Sequence, residues 1–164
     1  AAPAPAAPPQ KEVLRGVLSL IQGLRQALSG EGDATRDASA RAAASLLAKA
    51  PSLLASDDAK SLFRDQGGAA LACDALLSMH AHPAAARAAL GAVAVLCERE
   101  RDAQAVLQHK GGRALVAVVA AMQGAGAAAG DVALRVAAAT VLEVALQHEA
   151  VRRALAGRRW RYAP

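Results

Sequence analysis

Two Gly-Gly pairs constrain the fold of this chain most strongly, because each stands at the same place in a repeated order of predicted helices. The pairs lie at 67–68 and 111–112, 44 residues apart. A short predicted helix precedes each pair, and a helix, a loop and a longer helix follow it. Leu71 matches Leu115 at the same offset. The order therefore indicates two copies of one helical unit.

The offset lengthens to 48 residues beyond the loop at 124–130. Arg87 then matches Arg135, and Val93 matches Val141. The loop consists of glycine and alanine only. An insertion there costs little because the entropy of loop closure grows slowly with loop length.

A period of 44 to 48 residues, with two or three helices in each unit, is typical of helical solenoids. A single unit cannot bury its own apolar face, so neighbouring units must stack to form a continuous core. The units predicted here are 10–66, 67–110 and 111–157. We therefore expect an all-α fold, a short α-solenoid of about three repeats that occupies residues 10–157.

The composition supports the helical interpretation. Alanine, the strongest helix former, fills 47 of the 164 positions. The valines fall within Ala/Leu runs at helical spacing, and no segment alternates as a half-buried strand does. Residues 10–28 place apolar side chains every three or four positions, which gives one apolar stripe.

Three residues predict helix boundaries. Ser56 and Asp131 are predicted N-caps, because their side-chain oxygens accept hydrogen bonds from free backbone N–H groups. A second helix is predicted from Thr35 or Arg36 to Ala50, where Pro51 ends or kinks it.

The segments at 102–116 (DAQAVLQHKGGRALV) and 135–142 (RVAAATVL) resemble armadillo repeats, and the wider HEAT-like class of helical repeats. The resemblance extends over about residues 35–157. It implies a short first helix that ends at glycine, a second helix at a steep angle and a longer third helix that lines a concave face. Glycine suits the sharp turn between the first two helices.

One departure from the family pattern bears on function. Armadillo proteins that bind extended peptides carry an asparagine ladder on their third helices. The matching positions here are Lys49, Val95 and Glu143. The resemblance therefore does not imply capture of an extended peptide, and docking through helix faces or ends is favoured instead.

Both ends of the chain differ from the helical domain. Residues 1–9 contain only alanine and proline, which predicts an extended arm. Residues 158–164 form a basic aromatic C-terminal tail. The candidate partner-binding residues mix guanidinium groups with aromatic rings, and they are Arg152, Arg153, Arg158, Arg159, Trp160, Arg161 and Tyr162. Such a mix suits a protein interface, a nucleic-acid contact or a disordered basic tail.

No residue pattern predicts catalysis, a cofactor or a metal. His80 and His82 have no further metal ligand at the required spacing. Cys73 and Cys97 lie in apolar runs, where a free thiol behaves as a small hydrophobic side chain. The glycines match neither phosphate-binding fingerprint, and no apolar segment predicts a membrane span. We therefore expect a protein that is not an enzyme and needs no cofactor.

The net charge and the repeat together indicate the kind of partner and the function. The net charge of +5 favours acidic partners or nucleic acid. The repeat predicts a non-catalytic scaffold or accessory subunit that contacts other protein subunits of a larger assembly. The alternative is a basic RNA- or ribosome-associated protein.

The composition and the first residue of the sequence bear on its location in the cell. The Arg- and Ala-rich chain begins without Met, which suits a mature organellar protein, mitochondrial rather than plastid, or part of a longer sequence. A cytoplasmic location is the alternative.

Overall fold

A computed structural model describes residues 10–30, 33–78, 81–124 and 129–157 of the chain. These residues form helices and turns with no strand among them, which confirms the predicted all-α fold class. The helices are α1 (Gln10–Leu28), α2 (Asp33–Leu47), α3 (Ala50–Leu53), α4 (Asp57–Asp65), α5 (Gly68–Ser78), α6 (Pro83–Cys97), α7 (Glu100–Gln108), α8 (Arg113–Met122), α9 (Val132–Ala145) and α10 (Glu149–Ala156), with a 3-10 turn at His109–Gly112 between α7 and α8.

The helices contact one another in three rows. Helix α5 packs between α1 and α8, and α6 packs between α2 and α9. A third row joins the short helices, since α7 contacts α10 directly and is linked to α4 by an ion pair. Neighbours across the first two rows also pack in pairs, α1 with α2, α5 with α6 and α8 with α9.

Helix α6 lies at the centre of the core. It contacts α2, α5, α7 and α9, and alanines such as Ala89 and Ala92 are fully buried in these contacts. Methyl side chains allow helix axes to approach closely, while Leu90, Val93 and Leu96 fill the wider spaces. A helix that is apolar almost all round is expected at such a position.

The first Gly-Gly pair is required by geometry at both of its positions. Gly67 has φ +80°, a left-handed backbone conformation that residues with a side chain rarely adopt. A Cβ atom at Gly68 would lie 2.5 Å from ring carbons of Phe63. Phe63 is fully buried, so its ring has no room to move aside. The pair therefore ends α4 and lets α5 start directly against the aromatic ring.

The predicted N-caps are confirmed. The Ser56 side chain accepts from the backbone N–H of Ala59 over 3.2 Å, and that of Asp131 accepts from Leu134 over 2.9 Å. The second helix ends earlier than predicted, at Leu47 rather than Ala50. Pro51 lies in the first turn of the separate helix α3, where no intrahelical N–H is needed.

Candidate functional site

A concave groove lies on the α1–α5–α8 row of the described residues. It encloses about 650 Å³. Apolar side chains form most of its walls, and three charged residues lie along it. The lining residues are Leu28, Leu71, Asp74, Leu77, Ser78, Lys110, Arg113, Val116, Ala117 and Ala120. Apolar walls with a few converging polar groups are typical of binding sites.

Asp74 on α5 is the centre of a polar cluster in this groove. Nε2 of His109 lies 2.8 Å from Oδ1 of Asp74, and Nζ of Lys110 lies 2.6 Å from the same oxygen. Both partners belong to the turn between α7 and α8, about 35 residues after Asp74 and at the other end of the same predicted unit, 67–110. The cluster therefore ties that turn to the neighbouring helix.

Opposing effects act on the pKa of Asp74. Partial burial raises it, because a desolvated carboxylate is less stable than a hydrated one. The hydrogen bonds from Lys110 and His109, together with their positive charges, lower it more. The pKa of Asp74 lies below its ordinary value, so the carboxylate stays ionised in neutral and mildly acidic solution.

The turn that carries Lys110 to Asp74 has a left-handed backbone at three successive residues. Lys110 has φ +48°, and Gly111 and Gly112 follow with φ +69° and φ +91°. A lysine in this region carries roughly 1–2 kcal/mol of strain, which glycine avoids. The ion pair with Asp74 offsets part of that strain, so the turn and the cluster support each other.

The groove is better equipped to hold an apolar surface than to perform acid–base chemistry. Its carboxylate already faces an ammonium group and an imidazole. Arg113, at the first position of α8, is exposed and has no polar partner among the described residues. A partner that brings an acidic group beside its apolar residues would complement Arg113.

We expect Asp74→Asn to reduce the free energy of unfolding at pH 7 by about 0.5–1 kcal/mol, a modest loss because the carboxylate is one-third exposed. Since the folded chain lowers the pKa of Asp74, the stabilisation is complete above the unfolded pKa of about 3.9. It is lost as the pH falls through the folded pKa. Urea unfolding at pH 7 and pH 3, followed by circular dichroism, measures the difference.

Glu100→Gln is the control for this prediction. It removes the same charge from an exposed position in the first turn of α7. Its effect on stability should be smaller at pH 7. An Asp74→Asn deficit of equal size at pH 3 and pH 7 would contradict the role given to the ionised carboxylate.

A second polar cluster joins α4 to α7. Asp102 is fully buried, and its Oδ1 accepts a hydrogen bond from Nη1 of Arg64 over 3.0 Å. Its Oδ2 lies 3.2 Å from Nε of Arg99 without forming a hydrogen bond. Lys60, also buried, pairs with Glu98 beside this site. Asp65 also pairs with Arg64, so three cations meet three carboxylates at the contact between helices, and this cluster is structural.

The predicted partner-binding residues are described only in part. Arg152 is exposed on α10, and its Nη1 donates to the carbonyl oxygens of Leu146 and Gln147 at the end of α9. Arg153 is exposed and pairs with Glu149 one turn away. Arg158, Arg159, Trp160, Arg161 and Tyr162 lie outside the described residues, as do the arm at 1–9 and His80.

The two cysteines occupy the core, as predicted. Cys73 and Cys97 are buried and free, and burial raises the pKa of each thiol to about 12. His82 precedes α6, with its Nδ1 3.6 Å from Asp37. Within the described part of the chain, no group of three or more His, Cys, Asp or Glu side chains is placed to hold a metal ion.

Among the described helices, none combines the length and the hydropathy needed to cross a membrane. No known protein family, curated protein or solved structure matches the chain.

Proposed function

We propose that this chain is a non-catalytic protein-binding module, a short armadillo-like solenoid that acts as a scaffold or accessory subunit of a larger assembly. The packing of equivalent helices carries the proposal. Each of α1, α5 and α8 contacts the next, as do α2, α6 and α9. The same order is expected from the predicted repeat, which supports the proposal, and stacked repeats offer long surfaces for protein contacts.

The groove on the α1–α5–α8 row is the proposed binding surface. Leu71 and Val116 offer apolar area on two neighbouring helices, and Arg113 supplies a free cation at the edge. The complementary ligand is an amphipathic helix of another protein, with an acidic side chain beside its apolar face. Grooves between helices commonly bind partners in this way.

An extended peptide is a poorer fit to this chain. The whole sequence contains no asparagine, so amide groups of that type cannot grip a peptide backbone. At the positions that match the family's ladder, Lys49 is exposed between α2 and α3, Val95 is half-buried and Glu143 is exposed. None of the three offers a side-chain amide.

A photo-crosslinking amino acid in place of Val116, compared with one in place of Val136 on α9, tests the proposal. Both valines are exposed, at 53% and 59%, but only Val116 lines the groove. Crosslinking in mitochondrial and cytosolic extracts should yield a protein other than the chain itself from Val116 alone. Val116→Glu and Arg113→Glu should each weaken binding of the purified partner about tenfold or more, whereas Val136→Glu should not.

Two results would contradict this function. Equal capture of the same protein from both positions would show that the groove does not select it. Capture of RNA from Val116, with binding that falls steeply with salt as phosphate contacts require, would favour the RNA-associated alternative.

A further inference from the structure

Helix α9 has an apolar face that nothing in the described chain covers. Of the five large apolar side chains that are exposed among the described residues, three belong to this helix and the residue after its end. Val132 is 71% exposed, Val136 59% and Leu146 39%. The opposite face of α9, which includes Leu134 and Val141, is buried against α6 and α8.

Part of the outward face of α9 follows a heptad pattern, in which Ala139 is half-buried and the other members are exposed. Val132, Val136, Ala139, Glu143 and Leu146 succeed one another at spacings of four, three, four and three, which forms one continuous stripe along a helix. A stripe of this spacing is suited to packing along a second helix. Ala139 at its midpoint would allow the two helix axes to approach closely.

We propose that this stripe binds the same stripe of a second copy of the chain, in an antiparallel contact with a two-fold axis at Ala139. The axis relates the two ends of the stripe to each other, and it sets Val136 of each copy level with Leu142 of the other. Val132 and Leu146 lie seven residues on either side of Ala139. Val132 of one copy therefore packs against Leu146 of the other. Closed two-fold contacts of this type are the commonest in homo-oligomers.

Charge complementarity decides the orientation. Arg135 and Glu143 lie four residues on either side of Ala139, and both are exposed. An antiparallel contact places each arginine beside the glutamate of the second copy. A parallel contact would place arginine against arginine and glutamate against glutamate, which costs energy. The Glu143 charge within an otherwise apolar stripe thus acquires a partner only in the antiparallel dimer.

Sedimentation velocity of the full chain over a range of concentrations tests the dimer. We expect a concentration-dependent species of twice the 16.5 kDa chain mass. Val136→Glu should raise the dissociation constant about tenfold or more. Val116→Glu, which adds the same charge on α8, should leave it unchanged. A monomer at every concentration, a larger polymer, or a dimer insensitive to Val136→Glu would overturn the proposal.

A charge exchange separates this contact from other surfaces of the chain. Arg135→Glu and Glu143→Arg should each weaken the dimer, because each places like charges opposite one another. The double variant carries both changes in every copy and should restore the original affinity. Failure of the double variant to recover, with the helix content unchanged, would overturn the antiparallel register. The outcome is independent of what binds the groove.

Discussion

Cys73 and Cys97 should resist alkylation by iodoacetamide at pH 8 for as long as the chain remains folded. Their side chains are 0% and 1% exposed. Burial raises both pKa values from 9.0 to about 12, helped for Cys73 by the neighbouring Cys97 and Asp74 and for Cys97 by Asp102. The reactive thiolate is then about a thousandfold scarcer than at an ordinary thiol. Mass spectrometry of timed samples measures the labelling rate.

A matched control distinguishes a protected thiol from a slow reagent. Ser19→Cys places a thiol at an exposed position of α1 and should react at the ordinary rate. In guanidinium chloride all the thiols should react equally. Native Cys73 or Cys97 reacting as fast as the cysteine at position 19 would contradict the closed core around α5 and α6.

The same raised pKa values predict a loss of stability in alkaline solution. The folded state favours the protonated thiols, so their contribution is complete below the unfolded pKa near 9 and declines as the pH rises towards the folded value of about 12. The free energy of unfolding should therefore fall above pH 9. A variant with Ala at both cysteines should lose less stability over that range.

Phe63→Ala should have the largest effect on folding of any single truncation in the core. Phe63 is fully buried and is the largest such side chain among the described residues. Replacing a buried phenylalanine with alanine costs about 3–5 kcal/mol. A domain of this size has only about 5–15 kcal/mol in total. The midpoint temperature of thermal unfolding, measured by circular dichroism, should fall by about 10 °C or more.

A second substitution tests the close contact between Phe63 and Gly68. Gly68→Ala alone should cost about 1–3 kcal/mol, because the added methyl group meets the phenyl ring. In the Phe63→Ala background it should be close to neutral. The two changes should therefore couple by about 1–3 kcal/mol.

The matched control for the glycine is Gly91→Ala. Gly91 lies within α6 and has nothing within 4 Å of the added Cβ position. The substitution should stabilise the chain by about 0.5–1 kcal/mol through the backbone entropy of the unfolded state. Additive effects of Phe63→Ala and Gly68→Ala would show that the ring and the glycine do not constrain each other.

Features with local signals could be predicted from the sequence. The helix order follows from apolar periodicity and from glycine pairs that interrupt it. The caps at Ser56 and Asp131 are single-residue signals with a direct physical cause. Pro51 was the exception, because a proline can end one helix or begin the next, and only the packing of α3 on α1 and α6 decides between these outcomes.

The groove could not be predicted, because its polar groups are far apart in the sequence and no repeated offset relates them. Asp74 and His109 are 35 residues apart, an offset that differs from the repeat period. The sequence did contain a weak signal for the second polar cluster, which joins α4 to α7. Lys60 and Arg64, four residues apart, face Glu98 and Asp102, also four apart, at a constant offset of 38. Opposite charges at one fixed offset indicate helices that lie side by side.

The alanine contacts of α6 have a mechanical consequence. A methyl group has no rotamers, so the alanine contacts cannot adjust to a load by rearranging their side chains. A partner that separates α5 from α8 would instead move these helices as rigid bodies. A displacement at one end of the helical domain would then be transmitted to the other end by movement of whole helices.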